Sequence, residues 1–268
     1  MEDVHELDGR LLVLTGAGVS TDSGIPDYRG PGKPVRTPMT YQELVSGPEA
    51  LQRYWARAHV GWSRMRQAEP NGGHLALARM QRQGRVELLV TQNVDGLHER
   101  AGSTDVVDLH GRISDVVCLD CRTVFPRTRV QQRMSDLNPG YTERHAEALA
   151  NPDGDVALEV TSDFAIAGCE VCGGRLKPDV VFFGENVPKP RVQRVYDALD
   201  RADALLVVGS SLAVMSGFRF VRHAAKRGQP VVIVNRGATR GDDLATVKLE
   251  EGTTEFLEAL AGPVAAYG

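Results

Sequence analysis

Residues 11–30 read LLVLTGAGVSTDSGIPDYRG. An apolar run, Leu11 to Leu14, meets two glycines two positions apart, Gly16 and Gly18. A strand that turns through such a pair toward a helix is how a dinucleotide-binding unit begins. The third glycine of that pattern is absent, because position 21 is Thr. A polar tail ending in Asp27-Tyr28-Arg29 stands where a hydride-transfer enzyme starts a regular helix. No clear acidic ribose ligand follows about 20 positions after the glycine pair, which argues against the standard hydride-transfer fingerprint.

Further short apolar runs bounded by turn residues lie at Val86–Thr91, Val106–Leu109, Ala204–Val208, Pro230–Val234 and Thr246–Leu249. Most lack period-two alternation, as strands covered on both faces do. Helical spacing separates them, at Leu75–Gln83, Arg191–Ala202 and Phe218–Lys226, with Gln52–Gln67 as a further candidate. Alternating strand and helix predicts a Rossmann-like α/β fold with a doubly wound parallel sheet. Residues 112–180 break the rhythm and are read as a small inserted module, leaving 1–111 and 181–268 for the nucleotide-binding domain. Residues 31–70, with four prolines before position 50, are expected to be a flexible loop followed by small helices.

All four cysteines fall in the interruption, as Cys118-x-x-Cys121 and Cys169-x-x-Cys172 with 47 residues between the pairs. Four thiolates complete a zinc tetrahedron and leave no open position, so the expected metal is structural, one per chain. Two incidental or redox pairs are the competing reading. A net charge of −4 and a pI near 6.0 show no electrostatic footprint for nucleic acid. No apolar run approaches the length of a membrane span. The polar, acidic N-terminus resembles neither a signal nor a transit peptide, so a complete cytoplasmic chain is expected.

Ligands in doubly wound sheets bind beyond the carboxyl ends of the strands. Gln92, Asn93 and Asp95 follow the second run, and Asp95 is equally suited to capping a short helix at Leu97–Ala101. His110 follows the third run, near the join with the cysteine module. It is a candidate general base, with a purely structural role as the alternative. Gly209-Ser210-Ser211 and Asn235-Arg236-Gly237 end two later runs with polar tips. His74 is expected to make local hydrogen bonds at a helix start.

Together these segments resemble the sirtuins, the NAD-dependent protein deacylases, over about residues 7–260. The markers are GAGVSTDSGIPDYRG (16–30), TQNVDGLHERAG (91–102), LHG (109–111), the two CxxC pairs, KPDVVFFGE (177–185), GSSLAVMSG (209–217) and VN (234–235). The wording DYR and GSSL-x-V-x-SG is most similar to the class II branch. No Tyr-x-x-Arg pair of the kind desuccinylating members use is read after the first loop.

The resemblance implies that Gly16, Ala17, Gly18, Ser20 and Ile25 approach the cofactor and that Arg29 helps position it. It implies that Asp95, Val94 and neighbouring backbone hold the nicotinamide carboxamide. Asn93 and Gln92 would orient the adjacent ribose. Gly209, Ser210, Ser211, Asn235, Arg236, Gly237 and Thr253 would serve the phosphate, ribose and adenine end. Val181, Phe183, Gly184, Glu185 and Val214 would seat an acyl-lysine peptide as an added strand, with Val181 and Phe183 lining the acyl tunnel; a buried strand is the other reading of VVFF. The implied reaction consumes NAD: the acyl oxygen displaces nicotinamide to give an alkylimidate, and His110 then activates a ribose hydroxyl. Free lysine, nicotinamide and an O-acyl-ADP-ribose result. A mono-ADP-ribosyltransferase and a non-catalytic NAD-binding regulator are the alternatives on the same scaffold.

Overall fold

The computed structural model describes residues 4–28, 38–148, 154–158 and 160–263. Strand β1 (Leu11–Thr15) leads into a 3-10 turn over Ala17–Ser23. Helices α1 (Tyr41–Leu44), α2 (Pro48–Gln67) and α3 (Gly72–Arg82) precede β2 (Val86–Thr91), α4 (Leu97–Arg100) and β3 (Val106–Asp108). Next come β4 (Gly111–Cys118), β5 (Val124–Pro126), α5 (Arg127–Leu137), α6 (Tyr141–Arg144) and β6 (Leu176–Val180). The chain closes with α7 (Lys189–Leu199), β7 (Ala204–Val208), α8 (Met215–Lys226), β8 (Val231–Val234), β9 (Val247–Leu249) and α9 (Thr253–Ala261).

Six strands form one parallel sheet in the order β3-β2-β1-β7-β8-β9. The direction of winding reverses between β1 and β7, which opens a crevice beyond their carboxyl ends. Both faces of the sheet are buried. On β1, Leu12 and Leu14 pack with α7 and α8, while Leu11 and Val13 pack with α3 and α9. That two-sided burial explains why β1, β7 and β8 read as apolar runs without alternation. The strand and helix positions agree with the sequence pattern to within a few residues. α2 is the largest departure: it starts at Pro48, in the first turn, where a fixed φ and a missing N–H cost nothing.

A second, antiparallel sheet of order β5-β4-β6 carries the cysteines. Its core draws on three separate segments. Tyr54 and Trp55 come from α2, Val116, Val130 and Met134 from β4 and α5, and Val156, Phe164 and Leu176 from further along. Arg127 is fully buried there, its guanidinium 4.8 Å from the Trp55 ring and 5.1 Å from the Trp62 ring. Flat, weakly hydrated guanidinium suits such a slot between indoles. β6 ends at Val180, so Val181–Phe183 is not a buried strand but an irregular, half-buried segment.

Candidate functional site

A cavity of about 770 Å³ occupies the crevice and extends to the small sheet's edge. Its floor is made by strand ends. Gly16, Ala17, Gly18, Ser20 and Ile25 follow β1; Gln92, Asn93, Val94 and Asp95 follow β2; Gly209, Ser210 and Ser211 follow β7; Asn235, Arg236 and Gly237 follow β8. Val181, Phe183, Gly184, Glu185 and Val214 also line it. Four strand ends thus converge, as their position in a doubly wound sheet requires. Thr253 does not line the cavity; its hydroxyl donates to the Gly18 carbonyl at 3.1 Å, supporting the loop from behind. Arg29 and residues 31–37 lie outside the described residues.

The loops after β1 and β7 touch backbone to backbone. A Cβ at Gly16 or Gly18 would lie 2.8 Å from Gly209 atoms, and one at Gly209 would lie 2.6 Å from Val19 N. Gly209 also has φ +63°, and Leu212 nearby has φ +54°. A left-handed Leu is unusual and marks a loop held by its surroundings. Ser210 contributes: its hydroxyl accepts from Gln92 Nε2 at 2.7 Å and from Leu212 N at 3.2 Å.

Beneath the loop runs a polar network. Ser20 Oγ donates to Asp95 at 2.8 Å and accepts from Asn93 Nδ2 at 3.0 Å. Asp95 also accepts from Leu97 N at 2.9 Å, so the capping role and the cavity position coexist. Burial is the main force raising its pKa. His74 takes the local role expected of it, closing a capping box with Asn71 at the start of α3.

His110 sits where β3 passes into β4, facing the cavity. Its Nδ1 lies 2.8 Å from the Gln92 carbonyl oxygen. A carbonyl only accepts, so the proton resides on Nδ1 and the basic lone pair on Nε2. Burial lowers the imidazole's pKa; the Gln92 carbonyl opposes and the Arg191 charge adds to the lowering. Neutral imidazole with a defined basic nitrogen is the form a general base needs.

On the small sheet, Cys118, Cys121, Cys169 and Cys172 bring their sulfurs within 4.8 Å of one another. Cys118 and Cys172 are 3.6 Å apart and Cys121 and Cys169 3.7 Å. Four sulfurs bonded at about 2.3 Å to one tetrahedral zinc lie about 3.8 Å apart, so the set fits Zn²⁺ and leaves no vacant position.

Contrary to the expectation that no such pair follows the first loop, Tyr54-Trp55-Ala56-Arg57 on α2 is a Tyr-x-x-Arg spacing. Tyr54 lines the cavity. Arg57 instead donates to the Leu158 carbonyl, at 2.8 Å from one terminal nitrogen and 3.2 Å from Nε, and is not among the lining residues. Other lining residues have no role assignable from the sequence, notably Met65, Phe182 and Ser216. Helical spacing hid the first as ordinary core.

This chain belongs to the Sir2 family, whose model matches residues 16–216. It is 52% identical over 256 residues to NAD-dependent protein deacetylase 1 of Mycobacterium avium (strain 104), covering 94% of this chain and 90% of that one. It is 54% identical over 245 residues to NAD-dependent protein deacetylase 1 of Streptomyces coelicolor, covering 90% and 81%. A solved structure of Sir2 with a p53 peptide and NAD+ superimposes with a TM-score of 0.72 at 32% identity, covering 94% of this chain and 91% of that one.

Proposed function

We propose that this chain is an NAD-dependent protein-lysine deacylase, acting on acetylated lysine and releasing nicotinamide, free lysine and O-acyl-ADP-ribose. The carrying observation is His110: a cavity-facing imidazole whose proton is fixed on Nδ1 by the Gln92 carbonyl, leaving Nε2 as base. It stands among strand-end loops suited to a dinucleotide and beside a segment suited to a peptide. NAD supplies a glycosidic bond whose cleavage leaves ADP-ribose to accept the acyl group.

The protein's own residues divide the work. The backbone of Gly16, Ala17 and Gly18, with Ser20, approaches the pyrophosphate. Asp95 and Val94 face the nicotinamide carboxamide, and Gln92 and Asn93 hold the adjoining ribose. Ser210, Ser211, Asn235, Arg236 and Gly237 serve the adenosine half. The substrate peptide enters as a strand between 183–185 and 212–214, where main-chain hydrogen bonds give affinity with modest sequence selectivity. Val181 and Phe183 flank the acyl-lysine. Glu185 acts by fixing the segment rather than by touching the peptide: it accepts from Phe182 N at 2.8 Å and pairs with buried Lys177 of β6 at 2.7 Å, which holds the segment in shape. The four cysteines hold a structural zinc ion that maintains the small lobe, residues 112–180. Arg29 is assigned to cofactor positioning on its motif. The cytoplasm is the compartment we assign.

The intact Gln92, Asn93, Asp95 and His110 set favours turnover over binding alone. The test is a mass-spectrometric screen of one lysine peptide carrying a panel of acyl groups, with and without NAD. Deacylated peptide and multiple-turnover nicotinamide release that both require the acyl-lysine and both disappear in His110→Ala support the proposal. Transfer of the ADP-ribose half onto protein, or saturable NAD binding without turnover on any peptide, would overturn it.

A further inference from the structure

His110 Nε2 lies 2.8 Å from Ser216 Oγ, and both side chains line the cavity. Ser216 belongs to the first turn of α8, directly before Gly217. The tautomer fixes the direction of this hydrogen bond. With the His110 proton held on Nδ1 by a carbonyl, Nε2 is an acceptor, so the serine hydroxyl donates to it. The one basic lone pair of the proposed base is therefore already engaged, and by a group able to pass a proton on.

The hydroxyl is firmly placed. Gly217 allows the turn to pack against Gln92: a Cβ there would lie 2.6 Å from Gln92 Oε1. Gln92 in turn supplies the carbonyl that orients His110 and hydrogen-bonds Ser210. One residue thus ties the imidazole to the helix turn that carries Ser216. Among the described residues, His110 is the side chain that Ser216 Oγ contacts by hydrogen bond.

The geometry points to Ser216 as a proton relay between the substrate ribose hydroxyl and His110. The ribose hydroxyl donates to Ser216 Oγ while the Ser216 proton moves to His110 Nε2. The ribose oxygen keeps the bonding pair and forms the new C–O bond to the former acyl carbonyl carbon, whose C=N π pair retreats to the lysine nitrogen. Imidazolium results, with its Nδ1–H still on the Gln92 carbonyl, and Ser216 regains a hydroxyl. The inference rests on His110 being the base.

Two measurements on the full chain test it. The first uses an acetyl-lysine peptide, NAD and labelled nicotinamide. Label exchange into NAD requires only that the glycosidic bond break and re-form, whereas deacetylation requires the base, so the exchange-to-deacetylation ratio isolates the relay step. Ser216→Val should raise that ratio by about tenfold or more, within the usual range for an acid–base group. Its isostere Ser216→Thr should bring it back to within about threefold of wild type. An unchanged ratio in Ser216→Val shows an idle hydroxyl, and a lowered ratio shows one that merely blocks Nε2; either overturns the relay. Should Val unfold the chain, Ser216→Ala makes the same comparison.

The second measurement needs no ligand. Nitrogen NMR of the free protein should find His110 protonated at Nδ1, with Nε2 a hydrogen-bonded acceptor whose signal shifts in Ser216→Val and not in Ser216→Thr. A proton resident on Nε2 at neutral pH would overturn the proposal. A His110→Ala variant that deacetylates at full rate defeats the assignment of the base itself, whereas an inert Ser216→Val beside an inactive His110→Ala defeats only the relay.

Discussion

His74 and His98 lie ring against ring beneath the nucleotide loop, 4.8 Å between centroids and tilted by 55°. His98 Nε2 is 2.9 Å from Thr15 Oγ1, and His74 Nδ1 accepts from Asn71 N at 3.3 Å. Both rings are buried to within 1%. Two protonated imidazoles at that spacing would repel each other without solvent to screen them, so the folded state holds the pair neutral.

Acid should therefore destabilise this fold well before its carboxylates titrate fully. Burial lowers His74 to about 4 and His59 to about 4, and His98 well below its ordinary value. A lowered histidine pKa means the unfolded chain binds more protons between about 6.5 and 4. Stability is then fully present above 6.5 and is lost as pH falls through that window, by about 3 kcal/mol for each of His59 and His74. Asp108, pushed up to about 6 by burial first and Glu99 second, acts in the opposite sense over part of the range, as do Asp95 and Asp115, each raised chiefly by burial, while His110, lowered by burial, adds to the loss. Urea midpoints at pH 7.5 and 5.0 check this. An unchanged midpoint would contradict the assignment of the three histidines as neutral core groups.

The rate profile should carry a different mark. His110 must be neutral to accept a proton, and burial lowers its pKa below the ordinary 6.5. The acidic limb of kcat/KM should consequently fall below pH 6.5, with activity retained at pH values where an exposed histidine would be half protonated. A limb centred above 7 on an intact fold would be at odds with this geometry.

Gly209→Ala should damage both fold and nucleotide binding. The residue is left-handed, and an added Cβ would press on the Val19 backbone at 2.6 Å. Gly228 is also left-handed, at φ +70°, but has open space around it. Gly228→Ala should cost about 1 kcal/mol from backbone strain alone, and Gly209→Ala clearly more, with NAD affinity reduced at least about tenfold. Denaturation and calorimetric titration of both variants make the comparison.

Metal removal should reach the active site from a distance. Chelation leaves four thiols whose sulfurs have no ion to gather them, and the small sheet loses its clamp. Phe183, whose carbonyl accepts from Tyr41 N at 2.9 Å, belongs to the segment leading away from that sheet. Metal analysis should find about one zinc per chain. Acyl-peptide turnover should fall with zinc content; a fully active protein free of metal would refute the structural role.

Much of this was legible in the chain because burial writes itself into composition. β1, β7 and β8 are sandwiched between helices, so each appears as an apolar run with recognisable ends. The strand-end loops followed, since a parallel sheet fixes where its carboxyl ends lie. The antiparallel sheet was less visible: β5 is three residues long and β4 alternates irregularly, with exposed Ser114 between buried Ile113 and half-buried Asp115. Pairings across long separations left no local trace, such as Arg127 with Trp55 or Trp55 Nε1 with the Leu176 carbonyl at 2.9 Å. Ser216 lies within GSSLAVMSG, yet its partner is 106 residues away. Arg57 shows the converse, a spacing present in sequence whose guanidinium the fold directs to the Leu158 carbonyl.

The buried packing around Trp55 joins stretches of chain from before β2, from the cysteine segment and from just ahead of β6. A graft of the metal-bearing segment onto a related scaffold would leave behind the long helix that fills its interior. Such a transplant should arrive hollow, and chimeras within this family ought to exchange that helix together with the cysteines or not at all.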